Sequence, residues 1–140
     1  MRKILLLLLP IAALGFAPAP VYREKPSDPD AVLRRLQGGW RGVSYRQAND
    51  FVFRVQVEKD RWRFFVGSPP TQATAFTITL DTKTNPMRID WRRDRVHLKG
   101  IFVLSGERLI YIWRDSTQGY PQSLTAPAPE DCVVEVQREK

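Results

Sequence analysis

The sequence contains only one cysteine, Cys132, and only one histidine, His97, among its 140 residues. A single cysteine excludes an internal disulfide. One histidine and one cysteine also fall short of the three or four ligands of a usual zinc site, so we expect no bound metal and no cofactor. Negative charge is the minority, with 15 acidic against 22 basic residues and a net charge of +7. Hydrophobic residues make up 43%, which excludes a wholly disordered chain and favours one folded domain.

No apolar run is long enough to cross a bilayer. The apolar stretch Ile4–Phe16 is broken by Pro10 and follows the positive start Met1-Arg2-Lys3. As a helix it would rise about 20 Å, against the roughly 30 Å of a hydrocarbon core. This pattern is typical of a secretory signal peptide, with a buried N-terminal strand or helix as the alternative. We therefore predict an exported protein, periplasmic or extracellular, with no transmembrane anchor once the signal is removed.

The chain divides into three parts on this interpretation. Residues 1–20 comprise the signal peptide and the start of a proline-rich linker, residues 21–29 continue the linker, and residues 30–140 form a single domain. The domain begins with a short helix, because Ser27 or Asp28 can cap it, Pro29 suits its first position and Gly38 can end it.

Beyond Gly39 the apolar residues alternate with polar ones, which indicates β-strands. Eight short strands are predicted, joined by close turns: Trp40–Arg46, Phe51–Glu58, Arg61–Val66, Ala75–Leu80, Met87–Arg92, Arg95–Leu104, Arg108–Arg114 and Cys132–Gln137. One apolar and one polar face per strand favours an antiparallel sheet. The fold class is therefore all-β, a small barrel of about eight strands preceded by a short helix. A two-sheet β-sandwich is the alternative.

Three segments resemble one known family. They are Leu36-Gln37-Gly38-Gly39-Trp40, Asn85-Pro86-Met87-Arg88-Ile89-Asp90 and the run from Gly100 to Leu109. In this order they are similar to elements of an uncharacterised, lipocalin-like secreted domain family that is abundant in planctomycetes. The resemblance implies a lipocalin-like barrel and export, and it implies no known activity. It also implies that Asp90 and Glu107 fix hairpin ends.

Nothing in the sequence forms a pattern typical of a catalytic site. His97 lies on a charged strand face with no orienting partner signalled, and Cys132 begins an apolar strand and is expected to be core. Four carboxylates gather in the middle third of the chain, where a paired acid–base site is conceivable: Asp90, Asp94, Glu107 and Asp115. Each lies near a turn or among arginines, which suits caps and surface ion pairs better. We therefore predict no catalytic residue and no enzymatic activity.

Basic and aromatic residues mix in the stretches Arg61–Phe65 and Trp91–Arg93, as they do in single-strand nucleic-acid binders. Export and the strand alternation argue against nucleic acid, because the aromatic residues face the core and the arginines face solvent. An acidic polysaccharide or a membrane surface suits the same charge better.

The preferred function is a non-enzymatic binding module, monomeric, that accepts a small apolar or amphipathic ligand in the barrel. The ligand-binding candidates are the aromatic residues expected on inward faces: Trp40, Phe53, Phe64, Phe102, Tyr111 and Trp113. The alternative is an envelope structural or protein-interaction module whose barrel is filled by its own side chains. A hydrolase is the least favoured class.

Overall fold

The computed structural model describes residues 27–44, 52–66 and 72–140. It begins with a two-turn helix, α1 (Pro29–Leu36). Asp28 caps this helix, as its carboxylate accepts a hydrogen bond from the backbone N–H of Asp30 at 3.3 Å. Gly38, with φ of +106°, turns the chain from the helix into the first strand in a conformation that favours glycine. So short a helix is stabilised by packing, and its apolar residues Val32 and Leu36 are buried.

Eight antiparallel strands follow the helix and close into a barrel in sequence order, because the last strand also pairs with the first. They are β1 (Gly38–Ser44), β2 (Val52–Glu58), β3 (Arg61–Val66), β4 (Gln72–Asp81), β5 (Met87–Arg93), β6 (Val96–Ser105), β7 (Arg108–Asp115) and β8 (Cys132–Arg138). The barrel prediction is confirmed over the sandwich. Closure leaves no unpaired edge between β1 and β8, which removes a template for aggregation.

The strands follow the alternation of the sequence, with small differences at their ends. β1 begins two residues before the predicted Trp40, and β4 begins three residues before the predicted Ala75. In both places the added residues are small or polar, and neighbouring strands pair with them. The predicted ends Tyr45-Arg46 and Phe51 lie outside the described residues.

Helix α1 covers one end of the barrel. Trp40 is fully buried there, and its indole Nε1 donates to the carbonyl of Leu36 at 2.9 Å. The guanidinium of Arg138 lies 4.2 Å from the centre of the Trp40 ring and donates to the carbonyls of Arg35 and Gln37, both at 2.6 Å. These contacts satisfy carbonyl groups at the helix end and hold it on the barrel. The expectation that Trp40 is a buried anchor at the junction of helix and barrel is confirmed.

Residues 119–131, here called the strap, connect β7 to β8 and contact the outer wall of the barrel. Arg114 of β7 and Asp131 at the strap's end are both buried, with Nε 2.7 Å from Oδ1. The outward-facing Ile101 and Ile112 of β6 and β7 are 3% and 0% exposed. Such burial on an outer wall requires a cover, and the strap is attached on both sides of this region, at Arg114 through Asp131 and at Asp90 through Tyr120. Among the described residues, no helix has the length and apolar character needed to cross a membrane.

Candidate functional site

The predicted ligand-binding aromatics lie at different depths of the barrel. Trp40, Phe64, Phe102 and Tyr111 are buried inside it, and Trp113 is partly buried against the same core. The side chain of Phe53 lies outside the described residues. Trp40 is set apart from the others, because the hydrogen bond to Leu36 and the contact with Arg138 commit it to the helix-covered end.

Two further tryptophans, Trp62 and Trp91, occupy the middle of the barrel beside Tyr111. The three rings contact one another, with centroid separations of 5.6 Å for Trp62–Trp91, 5.3 Å for Trp62–Tyr111 and 5.8 Å for Trp91–Tyr111. Two of the pairs are edge-to-face, a geometry that aromatic quadrupoles favour. We call Trp62, Trp91 and Tyr111 the aromatic triad.

Gly100 makes room for the aromatic triad. A Cβ atom at this position would lie 2.5 Å from Cζ3 of the Trp91 ring, which is closer than real carbon atoms approach. The Trp91 ring therefore packs directly on the β6 backbone. The strand alternation places Trp62 on the inward face, but nothing in the sequence indicates that Gly100, diagonally opposite Trp91 on the neighbouring strand, makes room for its ring.

The polar atoms of the aromatic triad are the unusual feature of the interior. Trp62 Nε1, Trp91 Nε1 and the Tyr111 hydroxyl are buried and have no hydrogen-bond partner among the described residues; the same is true of Trp113 Nε1. Leaving a buried donor unpaired costs about 1–3 kcal/mol, and buried polar groups are normally paired with protein or ordered water. The interior therefore offers donors to a group that carries an acceptor.

Tyr111 stays a neutral donor at any ordinary pH. Burial raises the pKa of its hydroxyl well above 10, and the nearby Cys132 adds to the shift. Its OH can both donate and accept, whereas the two indoles only donate. The arrangement suits an oxygen acceptor such as a carbonyl or ether, or a water molecule.

A second cluster lies on the outer wall, where β5 and β6 meet the strap. His97 Nε2 lies 2.6 Å from Oδ1 of Asp90, and the Tyr120 hydroxyl donates to Oδ2 of the same carboxylate at 2.5 Å. The side chains of Arg88 and Lys99 approach the Tyr120 ring, at 4.6 Å and 4.9 Å from its centre. The expectation that His97 lacks an orienting partner is wrong. Asp90 holds both His97 and the strap, a role that differs from fixing a hairpin end.

This outer cluster contains a histidine that a carboxylate orients. In the part of the chain that the structure describes, His97 makes no hydrogen bond to a serine, threonine or cysteine. Cys132, the only thiol, is buried on the inward face of β8. The described residues also contain no group of three histidine, cysteine, aspartate or glutamate side chains able to hold a metal ion.

The two pockets that the structure describes are both outside the barrel. One, of about 710 Å³, lies against Arg41, Arg54, Gln137, Arg138, Glu139 and Lys140. The other, of about 350 Å³, lies beside α1 and the turn at Lys59. The first is polar and basic, in contrast with the aromatic interior.

Comparison with known proteins adds no relative. No protein family matches the chain, no curated protein matches it, and no solved structure matches it. The likeness to the lipocalin-like planctomycete domains therefore stays a prediction from the three sequence segments.

Proposed function

We propose that the protein is an exported, non-enzymatic binding module whose barrel accepts a small amphipathic molecule. The observation that carries the proposal is the aromatic triad, whose touching rings carry three buried polar atoms with no partner in the part of the chain that the structure describes. An acceptor placed among these atoms makes hydrogen bonds that no described residue makes with them. The surrounding rings favour an apolar body, so one polar head on a slender apolar molecule fits both features.

The ligand enters, on this proposal, through the end of the barrel opposite α1. The helix end is occupied by Trp40, Leu36 and the Arg138 side chain. At the other end the inward-facing Leu98 and Trp113 are only partly buried. Because the rings of the triad are already in contact, a ligand must be small or must displace a ring, and binding will then change tryptophan fluorescence.

The test compares ligands that differ only in the acceptor. Medium-chain ketones, esters and carboxylic acids are each paired with the hydrocarbon of equal length and added to the full chain. The ligand with an acceptor should raise the melting temperature and change tryptophan emission more than its hydrocarbon partner. A free ligand concentration of about 100 times Kd stabilises the fold by about 2.7 kcal/mol, which a thermal melt resolves.

Tyr111→Phe removes one hydroxyl from the triad and keeps the ring. We expect it to weaken binding of the acceptor ligand by about tenfold, corresponding to about 1.4 kcal/mol. Tyr120→Phe is the matched control, since it makes the same chemical change on the outer wall, and it should bind as the unaltered protein does. Equal affinity of the Tyr111 variant, or no response to any ligand, would refute the barrel as a binding site.

A second candidate is a structural or protein-interaction module of the cell envelope with a filled barrel. It is favoured by the contacts within the aromatic triad and by the position of both described pockets on the outer surface. A barrel that responds to no ligand, combined with binding at the outer wall, would support this candidate.

A further inference from the structure

Two arginines face each other on the outer wall of the barrel. Arg41 of β1 is directly opposite Arg54 of β2, and on its other side Arg41 is opposite Gln137 of β8. Like charges directly opposite on neighbouring antiparallel strands destabilise a sheet. The pair therefore requires a negative group between or beside the two guanidinium groups.

Glu139 of the same chain supplies that negative group. Arg54 Nε lies 2.8 Å from its Oε1 and Arg54 Nη2 lies 3.0 Å from its Oε2, while Arg41 Nε lies 3.5 Å from Oε1. The hydrogen bond with Arg54 is the main cause that lowers the pKa of Glu139, and it also raises the pKa of Arg54. The paired nitrogens of a guanidinium match the two oxygens of a carboxylate, so this is a carboxylate-binding geometry.

The backbone beneath the Glu139 carboxylate is that of Gly39, which has no side chain. A Cβ atom at Gly39 would lie 2.5 Å from Oε2 of Glu139 and 3.2 Å from Oε1 of Gln56, so any larger residue would push the carboxylate away. The backbone N–H of Glu139 donates to the carbonyl of Gly39 at 2.9 Å, which anchors the segment that carries the carboxylate. Gly39 and the two arginines together form a cradle for one carboxylate.

The cradle opens into the basic pocket of about 710 Å³, whose lining includes four cationic side chains and one acidic side chain, that of Glu139. Arg41 keeps 61% of its side chain exposed, so it can contact a further anion. Four directly paired residues on adjacent strands form a row across the outer wall: Gln137, Arg41, Arg54 and Phe65. The Phe65 ring lies 5.2 Å from the Arg54 guanidinium. Four strands spaced about 4.8 Å apart give a row of roughly 14 Å, long enough for more than one unit of a polymer.

We infer that Gly39, Arg41 and Arg54 form a binding site for the carboxylates of an acidic polysaccharide, and that Glu139 occupies this site when the polymer is absent. The polymer's uronate carboxylate replaces that of Glu139 on Arg54, and a neighbouring carboxylate pairs with Arg41. A carboxylate tethered to the same chain competes at a high effective concentration. Glu139 therefore sets the polymer concentration at which the site becomes occupied by polymer.

Binding of polygalacturonate to the full chain tests the inference, measured by calorimetry at low and moderate salt. Arg41→Gln should weaken binding by about tenfold, and because Arg41 is exposed this variant should fold normally. Glu139→Gln should strengthen binding by about threefold or more, since it removes the internal competitor and leaves Arg54 available. A change of net charge alone would give the same two directions, so the size of each effect must be compared with that of a charge-matched substitution elsewhere on the barrel.

Charge-matched controls come from the β5–β6 turn, across the barrel from β1. Arg95→Gln and Asp94→Asn change the net charge by the same amounts as Arg41→Gln and Glu139→Gln, and both residues are exposed. They should leave affinity within about twofold. Equal effects of controls and site variants, or weaker binding by Glu139→Gln, would overturn the inference. Equally tight binding of methyl-esterified polymer or of monomeric galacturonate would overturn the assignment to carboxylates of a polysaccharide.

Discussion

At the residue scale, the tryptophans of the barrel fall into two kinds according to their indole nitrogens. Trp40 Nε1 is paired with the Leu36 carbonyl, whereas Trp62 and Trp91 have buried nitrogens with no partner among the described residues. A buried tryptophan that serves only packing normally has a hydrogen-bond partner for its indole nitrogen. An unpaired one carries a cost that only a bound group or water relieves, so the two kinds separate the anchor from the candidate binding site.

The anchoring role of Trp40 predicts a large loss of stability on truncation. Trp40→Ala should lower the free energy of unfolding by about 3–5 kcal/mol, because it opens a cavity under α1. It also removes the indole that the Leu36 carbonyl and the Arg138 guanidinium contact. Urea unfolding measures this loss. Trp113→Ala, at the partly buried opposite end, should cost less. A loss below about 1 kcal/mol for Trp40→Ala would contradict its place as the anchor.

At the element scale, the regular parts of the fold were predictable and the strap was not. The alternation of Trp62 and Phe64 with Arg61 and Arg63 predicts β3 and its inward face, and both tryptophan and phenylalanine are buried. In residues 119–131 the apolar residues recur with neither the helical nor the strand period. The sequence pattern therefore predicts no contact between this segment and the barrel. The bond from Tyr120 to Asp90 joins residues 30 positions apart and depends on tertiary packing alone. The partner of His97 was missed for another reason: Asp90 lies on the paired strand β5, and their contact depends on the register of the β5–β6 hairpin, which alternation alone does not fix.

The attachment of the strap to β5 predicts a distinct alkaline behaviour. Burial, together with the hydrogen bond to Asp90, raises the pKa of Tyr120 from 10.0 to about 12. The folded state thus holds the neutral phenol more firmly than the unfolded chain does. The stability that this provides is fully present below about pH 10 and is lost as the pH rises towards 12.

Absorbance of tyrosinate, compared between the unaltered protein and Tyr120→Phe, should therefore place the ionisation of this residue near pH 12. Asp90→Asn keeps an acceptor oxygen but removes the charge, so it should lower the pKa of Tyr120 part of the way towards 10. The urea midpoint of Tyr120→Phe should also fall less between pH 10 and 12 than that of the unaltered protein. Ionisation of Tyr120 near pH 10 would mean that the strap is not held on β5.

At the scale of the whole molecule, closure of the barrel relies on pairing between distant parts of the chain. β1 pairs with β8, which brings Trp40 opposite Arg138, and Arg138 then contacts the end of α1. The alternating pattern predicts strands, but it does not say that the first and last strands pair with each other. The sequence alone therefore left the β-sandwich as an alternative to the barrel. The carboxylate cradle was missed for the same reason, since Gly39 and Glu139 lie at opposite ends of the domain.

The pairing that closes the barrel lies between Gly38 and Arg138, after the leader that the sequence predicts. The strands pair from Gly38 to Arg138, and α1 covers one end from Pro29 onwards. We expect a signal peptidase to remove the leader, so that the mature protein begins between Phe16 and Val21 in an exported compartment. N-terminal sequencing of exported material checks this.

Leu7→Arg, which places a charge in the apolar run, should block export and processing while the barrel still folds. Recovery of the unaltered chain in the cytoplasm with Met1 retained would contradict the prediction and, with it, the exported setting in which an acidic polysaccharide would be met.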